Sequence, residues 1–137
     1  MTDQKKIIRV YYPSGALRVE SEINRLGTPD GVCREYFESG KLKSEQSRVN
    51  GFFHGRFRQW KEDGTLLGEF YCDHGTGCIR EWYDTGQIKW EKAYVEGRSH
   101  GPEKLYDMTG KCCMTNYFYD NKKVSKKKYL ELSQDKG

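Results

Sequence analysis

Long apolar runs are absent from this chain, whose longest stretches, such as Leu66-Leu67 and Tyr117-Phe118-Tyr119, fall far below the ~18 residues that carry a helix across a bilayer. This excludes an integral helical membrane protein. Before Ile7-Ile8-Arg9-Val10-Tyr11 the chain reads Met1-Thr2-Asp3-Gln4-Lys5-Lys6, with neither the apolar segment nor the small-residue cleavage site of a secretory leader. A cytoplasmic location is expected. Proline occurs 3 times in 137 residues, and histidine 3 times. So few histidines leave little choice of general acid or base. Hydrophobic residues make up only 35% and the mean hydropathy is -0.96, too little for a thick two-layer core. The five cysteines, Cys33, Cys72, Cys78, Cys112 and Cys113, are odd in number, which favours reduced thiols over a disulfide framework. The motifs G-x-G-x-x-G and G-x-x-x-x-G-K-[ST] are also missing.

Glycine and aromatics are plentiful, with 15 glycines and 14% Phe, Trp and Tyr. Aromatic rings bury large areas without many aliphatics, so the composition points to a thin, turn-rich β structure in one domain rather than to disorder. The formal charge of +4 is unevenly placed. Residues 1–120 carry 18 basic and 18 acidic side chains, while residues 121–137 carry six lysines against Glu131 and Asp135. A neutral body offers no broad footprint for a phosphate backbone, and nucleic acid is not an expected partner. Lys122, Lys123, Lys126, Lys127 and Lys128 are candidates for an anionic surface, although a solvated face is the commoner reading of such a run.

Self-comparison reveals a repeat. Gly15, Gly40, Gly64, Gly86 and Gly110 are spaced by 25, 24, 22 and 24 residues. Four residues before each lies an aromatic, Tyr11, Tyr36, Trp60, Trp82 and Tyr106, and two after lies Leu17, Leu42, Leu66, Ile88 or, in the last copy, Cys112. Six before is basic (Arg9, Arg34, Arg58, Arg80, Lys104) and five after is Glu20, Glu45, Glu69 or Glu91, with Thr115 breaking the series. Two further families, Gly27, Gly51, Gly75, Gly97 and Gly31, Gly55, Gly77, Gly101, bring the repeat's share to 13 of the 15 glycines.

Each unit reads as a β-hairpin. A polar residue before glycine, as in Glu38-Ser39-Gly40-Lys41, suits a three-residue loop, a type I turn closed by a left-handed glycine. That loop puts Tyr36 opposite Leu42, Trp60 opposite Leu66 and Trp82 opposite Ile88, and predicts Glu35 facing Lys43, Glu81 facing Lys89 and Gln59 facing Leu67. A two-residue loop would instead pair Arg34 with Glu45 and Arg80 with Glu91 but split the aromatics from the leucines, so it ranks second. The predicted fold is all-β: an elongated array of about five stacked antiparallel hairpins in a single twisted sheet. Its units are approximately residues 7–30, 31–54, 55–76, 77–100 and 101–120, making a 1–120 array followed by a lysine-rich tail over 121–137. Ser125 reads as the N-cap of a short capping helix packing through Val124, Tyr129, Leu130 and Leu132.

The recurring G-x-x-x-x-[YW]-x-x-x-G-x-[LI]-x-x-E, as in Gly31, Tyr36, Gly40, Leu42 and Glu45, resembles the MORN repeat and more closely its MORN-variant form in many bacterial and some viral proteins. The resemblance covers roughly residues 7–120 and departs at Cys112 and Thr115 in the last copy. It implies a non-enzymatic scaffold or protein-interaction module, with membrane-phospholipid attachment as an alternative. Many bacterial relatives carry an antitoxin label, which implies a third reading, a binder that neutralises a partner protein.

The residues themselves lead to the same preference. His54 and His100 share one repeat position, so a structural hydrogen bond to the turn backbone explains both better than catalysis. Cys72, His74 and Cys78 could offer three zinc ligands but lack a paired C-x-x-C half and a fourth ligand, so buried thiols are preferred, and neither metal nor cofactor is expected. Cys112 and Cys113 read as one buried and one exposed thiol on opposite faces of a strand. The glutamate column and the basic column read as a structural ladder. Candidate partner contacts are Tyr12, Phe37 and Tyr83, on the face opposite the aromatic stripe, and Phe52 and Phe53 in an exposed link. Another protein is the expected partner; end-to-end self-association through uncapped strands stays open.

Overall fold

The computed structural model describes residues 5–134. The ends of the expected array and tail, residues 1–4 and 135–137, lie outside them. The chain is mostly β, with 62% in strands, hairpin connections and one short C-terminal helix. It divides into two compact units, Met1–His74 and Gly75–Gly137. The first contains β1 (Lys6–Tyr11), β2 (Leu17–Ile23), β3 (Pro29–Tyr36), β4 (Leu42–Val49), β5 (Phe52–Phe53), β6 (Gly55–Trp60) and β7 (Leu66–Asp73). Its open antiparallel sheet runs β1-β2-β3-β4-β6-β7, with β5 on β4. The second runs β8 (Thr76–Trp82), β9 (Ile88–Val95), β10 (Arg98–Tyr106), β11 (Cys112–Tyr119) and β12 (Lys122–Val124), followed by α1 (Lys126–Gln134).

The hairpin loops have the predicted three-residue form. Gly40 N–H donates to Phe37 O (2.9 Å) and Phe37 N–H to Lys41 O (2.8 Å), with Gly40 at φ 92, a conformation that costs a residue with a Cβ about 1–2 kcal/mol. Next to the loop Tyr36 pairs with Leu42, Trp60 with Leu66 and Trp82 with Ile88, as expected. One step further the register shifts. Glu35 pairs with Ser44, Gln59 with Gly68 and Glu81 with Trp90, so the expected pairs of Glu35 with Lys43, Gln59 with Leu67 and Glu81 with Lys89 do not form. A β-bulge is the reason: Lys43, Leu67 and Lys89 are each an extra residue without a partner across the ladder. Beyond it Arg34 faces Glu45 and Arg80 faces Glu91. The two loop readings are therefore each right on one side of the bulge, and the aromatic stripe shares its face with the ion-pair ladder.

The links between hairpins are ordered structure. Phe52 and Phe53 pair with Val49 and Arg48, so the stretch expected to be an exposed link is a short strand. Asn50, Glu96 and Asp120 take φ of 49, 50 and 49 in the turns after β4, β9 and β11, as tight right-twisted hairpins require. Gly51 N–H then donates to Pro29 O (2.7 Å) and Asn121 N–H to Ser99 O (2.8 Å), tying each link to the preceding one.

Only Phe70, Cys72 and Trp82 are buried hydrophobics among the described residues. In the first unit Phe57 stacks on Phe70 at 4.6 Å, Phe53 meets Phe70 edge-on at 5.7 Å, and the Arg48 guanidinium lies 4.0 Å over Phe53. Burial of Arg48 lowers its pKa. In the second unit Ser125 caps α1 as expected, its Oγ accepting from Lys128 N–H at 3.0 Å. Tyr129 packs on Tyr117 (5.5 Å), while Leu130 faces solvent, correcting its expected place on the packing side. In a nine-residue helix lying across one strand, 129 and 132 point inward and 130 is turned away by about 100°.

Candidate interaction surface

Strand alternation and the bulged register place Ile7, Arg9 and Tyr11 on the same face of the first unit as Glu20, Tyr36, Glu45, Phe52, Trp60, Leu66, Glu69 and Tyr71. Three arginines on this face are each paired with a glutamate, while Arg56, opposite Tyr71, is exposed. Arg9 Nε donates to Glu20 at 2.9 Å, Arg34 to Glu45 at 2.8 Å and Arg58 to Glu69 at 3.3 Å. The hydrogen bond to Glu45 raises the Arg34 pKa. Among these pairs stand large apolar side chains in water: Tyr11 is 55% exposed, Phe52 44%, Leu66 48% and Tyr71 62%. A face whose arginines are mostly paired, with protruding rings and aliphatics, fits a protein partner better than a phosphate-rich one.

The sequence candidates on the opposite face are differently employed. Tyr12 Oη donates to Tyr36 O (2.7 Å) and Tyr83 Oη to Tyr106 O (2.8 Å), each reaching into the next hairpin. The bulge residues cover these rings. Arg18 lies 5.8 Å from the centre of Tyr12, Lys43 5.7 Å from Phe37 and Lys89 5.7 Å from Tyr83. Phe53 is held in the Phe57–Phe70 cluster, and Phe52 is the one candidate standing on the open ladder face. Tyr11, Leu66 and Tyr71 were not among the sequence candidates. Tyr11 and Leu66 stand at the repeat positions that flank the hairpin loops, and the alternation that puts Tyr71 beside them becomes readable only once the bulge is placed. The stripe itself is unevenly covered, Trp82 being 8% exposed.

Lys122, Lys123, Lys126, Lys127 and Lys128 are all exposed, on β12 and the first turn of α1. That turn holds no acidic residue to offset them against the helix dipole. His54 Nδ1 accepts from His74 N–H (3.0 Å) and His100 Nδ1 from Asp120 N–H (3.2 Å), the backbone role expected of this repeat position. Cys112 and Cys113 are both exposed, correcting the expected buried member; Cys113 is the extra residue of the last bulge, its thiol reaching the nearby Lys111 O at 3.6 Å and the Asp107 carboxylate.

One polar cluster in the second unit gathers chemically capable groups. Glu91 accepts from Tyr106 Oη (2.7 Å) and Arg80 Nε (3.1 Å), with Cys78 Sγ at 3.9 Å. Burial acts to raise the Glu91 carboxyl, but the hydrogen bonds from Tyr106 and Arg80 and the Arg80 charge outweigh it and hold it below its usual range. The same hydrogen bond to Glu91 pushes Tyr106 up to about 12, and burial pushes the Cys78 thiol up. Each shift moves its group away from titration near neutrality, the reverse of what acid, base or nucleophile needs.

The family model of the MORN repeat variant matches residues 29–50, the span that holds β3, its glycine loop and β4. No curated protein matches the chain. MORN repeats are generally non-catalytic modules that bind proteins or membranes. The bulged hairpin of residues 29–50, the segment similar to the MORN repeat variant, recurs from Tyr11–Leu17 to Tyr106–Cys112, which supports a MORN-variant repeat protein.

Proposed function

We propose that this chain is a non-enzymatic protein-interaction module whose ladder face in the first unit receives a partner protein. The observation that carries the reading is the exposure of Tyr11, Phe52, Leu66 and Tyr71 beside three arginine–glutamate pairs that satisfy one another. The partner gains apolar burial at Tyr and Leu anchors and meets a ladder that needs no counter-charge. The test compares proteins co-purified with the parent chain and with a Leu66→Ser/Tyr71→Ser variant whose circular dichroism is unchanged. A partner retained by the parent and lost by the variant supports the site, and equal capture by both defeats it.

The five exposed lysines of β12 and α1 favour a second reading, attachment to anionic phospholipid. Co-sedimentation with phosphatidylserine vesicles that weakens with salt and fails after Lys126, Lys127 and Lys128 are changed to Gln would support it. Salt-insensitive binding would count against it.

A further inference from the structure

His54, Asp73 and His74 form, among the described residues, the one group of three side chains able to hold a metal ion, their ligand atoms all lying within 4.8 Å of one another. His54 leads into β6, Asp73 ends β7 and His74 follows it, so the register of the first unit places them side by side. Asp73 Oδ1 is 2.6 Å from His74 Nδ1 and 3.6 Å from His54 Nδ1. The two imidazoles pack at 4.1 Å between centres. A tetrahedral ion with bonds of about 2.0–2.1 Å separates its ligand atoms by about 3.4 Å, so small side-chain rotations suffice to admit one.

The repeat supplies an internal comparison. His100 stands where His54 does and makes the same backbone hydrogen bond, yet its neighbours at the positions of Asp73 and His74 are Tyr119 and Asp120. Tyr119 packs on the His100 ring at 4.5 Å and Asp120 pairs with Arg98 at 2.8 Å. The structural duty of the histidine therefore needs neither an acid nor a second imidazole beside it. At His54 both are present, in solvent, with the side chains of Asp73 and His74 68% and 66% exposed.

We infer that His54, Asp73 and His74 form a surface site for a divalent first-row transition ion such as Zn²⁺, with one nitrogen from each imidazole and Asp73 Oδ1 as protein ligands and water completing the shell. Two imidazoles and one carboxylate are a borderline donor set suited to Zn²⁺, Ni²⁺ or Cu²⁺ rather than to Ca²⁺ or Mg²⁺. The ion clips the segment entering β6 to the end of β7, which makes it a stabilising ligand of the first unit.

The test is calorimetric titration of the full chain with ZnCl₂ at neutral pH, paired with thermal unfolding. One ion per chain and a raised unfolding midpoint are expected. His74→Asn keeps a residue that tolerates positive φ and removes an imidazole; it and Asp73→Asn should each weaken binding by at least about tenfold, the scale seen when even a ligand's orienting partner is lost. His100→Asn and the Cys112→Ser/Cys113→Ser double variant should bind as the parent does. Absence of a one-to-one isotherm overturns the site, as does unchanged affinity in His74→Asn or loss of binding in the cysteine variant. Equal weakening by His100→Asn and His74→Asn also overturns it, because it would trace the effect to the turn rather than to the ligands.

Discussion

The two units build the same hairpin but finish it differently. In the first, β1 leaves Ile7, Ile8, Val10 and Tyr11 exposed, and Phe52, Leu66 and Tyr71 stand out on the ladder face. In the second, α1 brings Tyr129 onto Tyr117, Tyr119 and His100, so the C-terminal half of β11 has a cover from the same chain. A single-layer sheet buries little by itself, and the contrast shows two ways to deal with the remainder: a local helix, or a surface left for something else. The hairpin is generic to the repeat, and what varies between units is the cover.

The largest expected effects come from glycines at matching positions in the two units. At Gly31 a Cβ would meet Glu22 Oε1 at 2.7 Å, and that oxygen accepts the Val32 N–H at 3.0 Å, so it cannot retreat without losing the bond. At Gly101 it would meet Ala93 Cβ at 3.0 Å. Both residues have φ above 110°. Gly31→Ala and Gly101→Ala should each lose roughly 2–4 kcal/mol in urea unfolding, the sum of backbone strain and crowding. Gly40→Ala, with nothing within 4 Å of its Cβ, should lose only the strain, and equal losses at all three would remove the crowding argument.

Next in size is the cover itself. Tyr129→Ala should cost roughly 1–3 kcal/mol and increase binding of a hydrophobic dye, whereas Tyr11→Ala, which uncovers nothing, should stay within about 0.5 kcal/mol. A loss at Tyr11 as large as at Tyr129 would abolish the distinction between the units. Tyr106→Phe should cost about 1 kcal/mol through the hydrogen bond to Glu91. Its pH signature is specific. With Tyr106 raised to about 12, its stabilisation is complete below the ordinary tyrosine pKa of about 10 and is lost as pH rises through the folded value. Glu91, held low, loses its contribution only as pH falls below the usual carboxylate range. The alkaline unfolding profile of Tyr106→Phe should therefore lack a downturn between about pH 10 and 12 that the parent shows.

Much of the architecture was legible because it repeats. Five glycine loops set the hairpins, and Ser125 set the start of α1, since loop conformation and capping depend on a few adjacent residues. The bulge was not legible. Two registers competed, one satisfying Tyr36 with Leu42 and the other Arg34 with Glu45, and alternation alone admits only one of them. An extra residue at Lys43 satisfies both, and its ammonium over the Phe37 ring has no signature in a one-dimensional pattern. The candidate surface was missed for the same reason: Tyr12 and Tyr83 looked available on the opposite face, but their hydroxyls reach backbone carbonyls 24 and 23 residues away. The approach of Asp73 to His54 depends on the pairing of β6 with β7, which spacing in the chain does not reveal.

The ladder offers the smallest and sharpest comparison. Arg58 and Glu69 in the first unit have side chains 39% and 46% exposed, against 34% and 22% for Arg80 and Glu91 in the second. Glu91 is also oriented by Tyr106, while no second donor holds Glu69 in the hydrogen bonds described. Both pairs span the same strand positions, so propensity and register cancel between them. Double-mutant cycles with Arg→Met and Glu→Gln should give a coupling of about 0.2–0.5 kcal/mol for Arg58–Glu69, falling toward zero in molar salt. Arg80–Glu91 should approach ~1 kcal/mol and keep most of it in salt, because a less hydrated, pre-oriented carboxylate is screened less. In a Tyr106→Phe background the second coupling should drop toward the first. Equal couplings in the parent would mean that orientation by Tyr106 adds nothing, and that the two units differ in their cover alone.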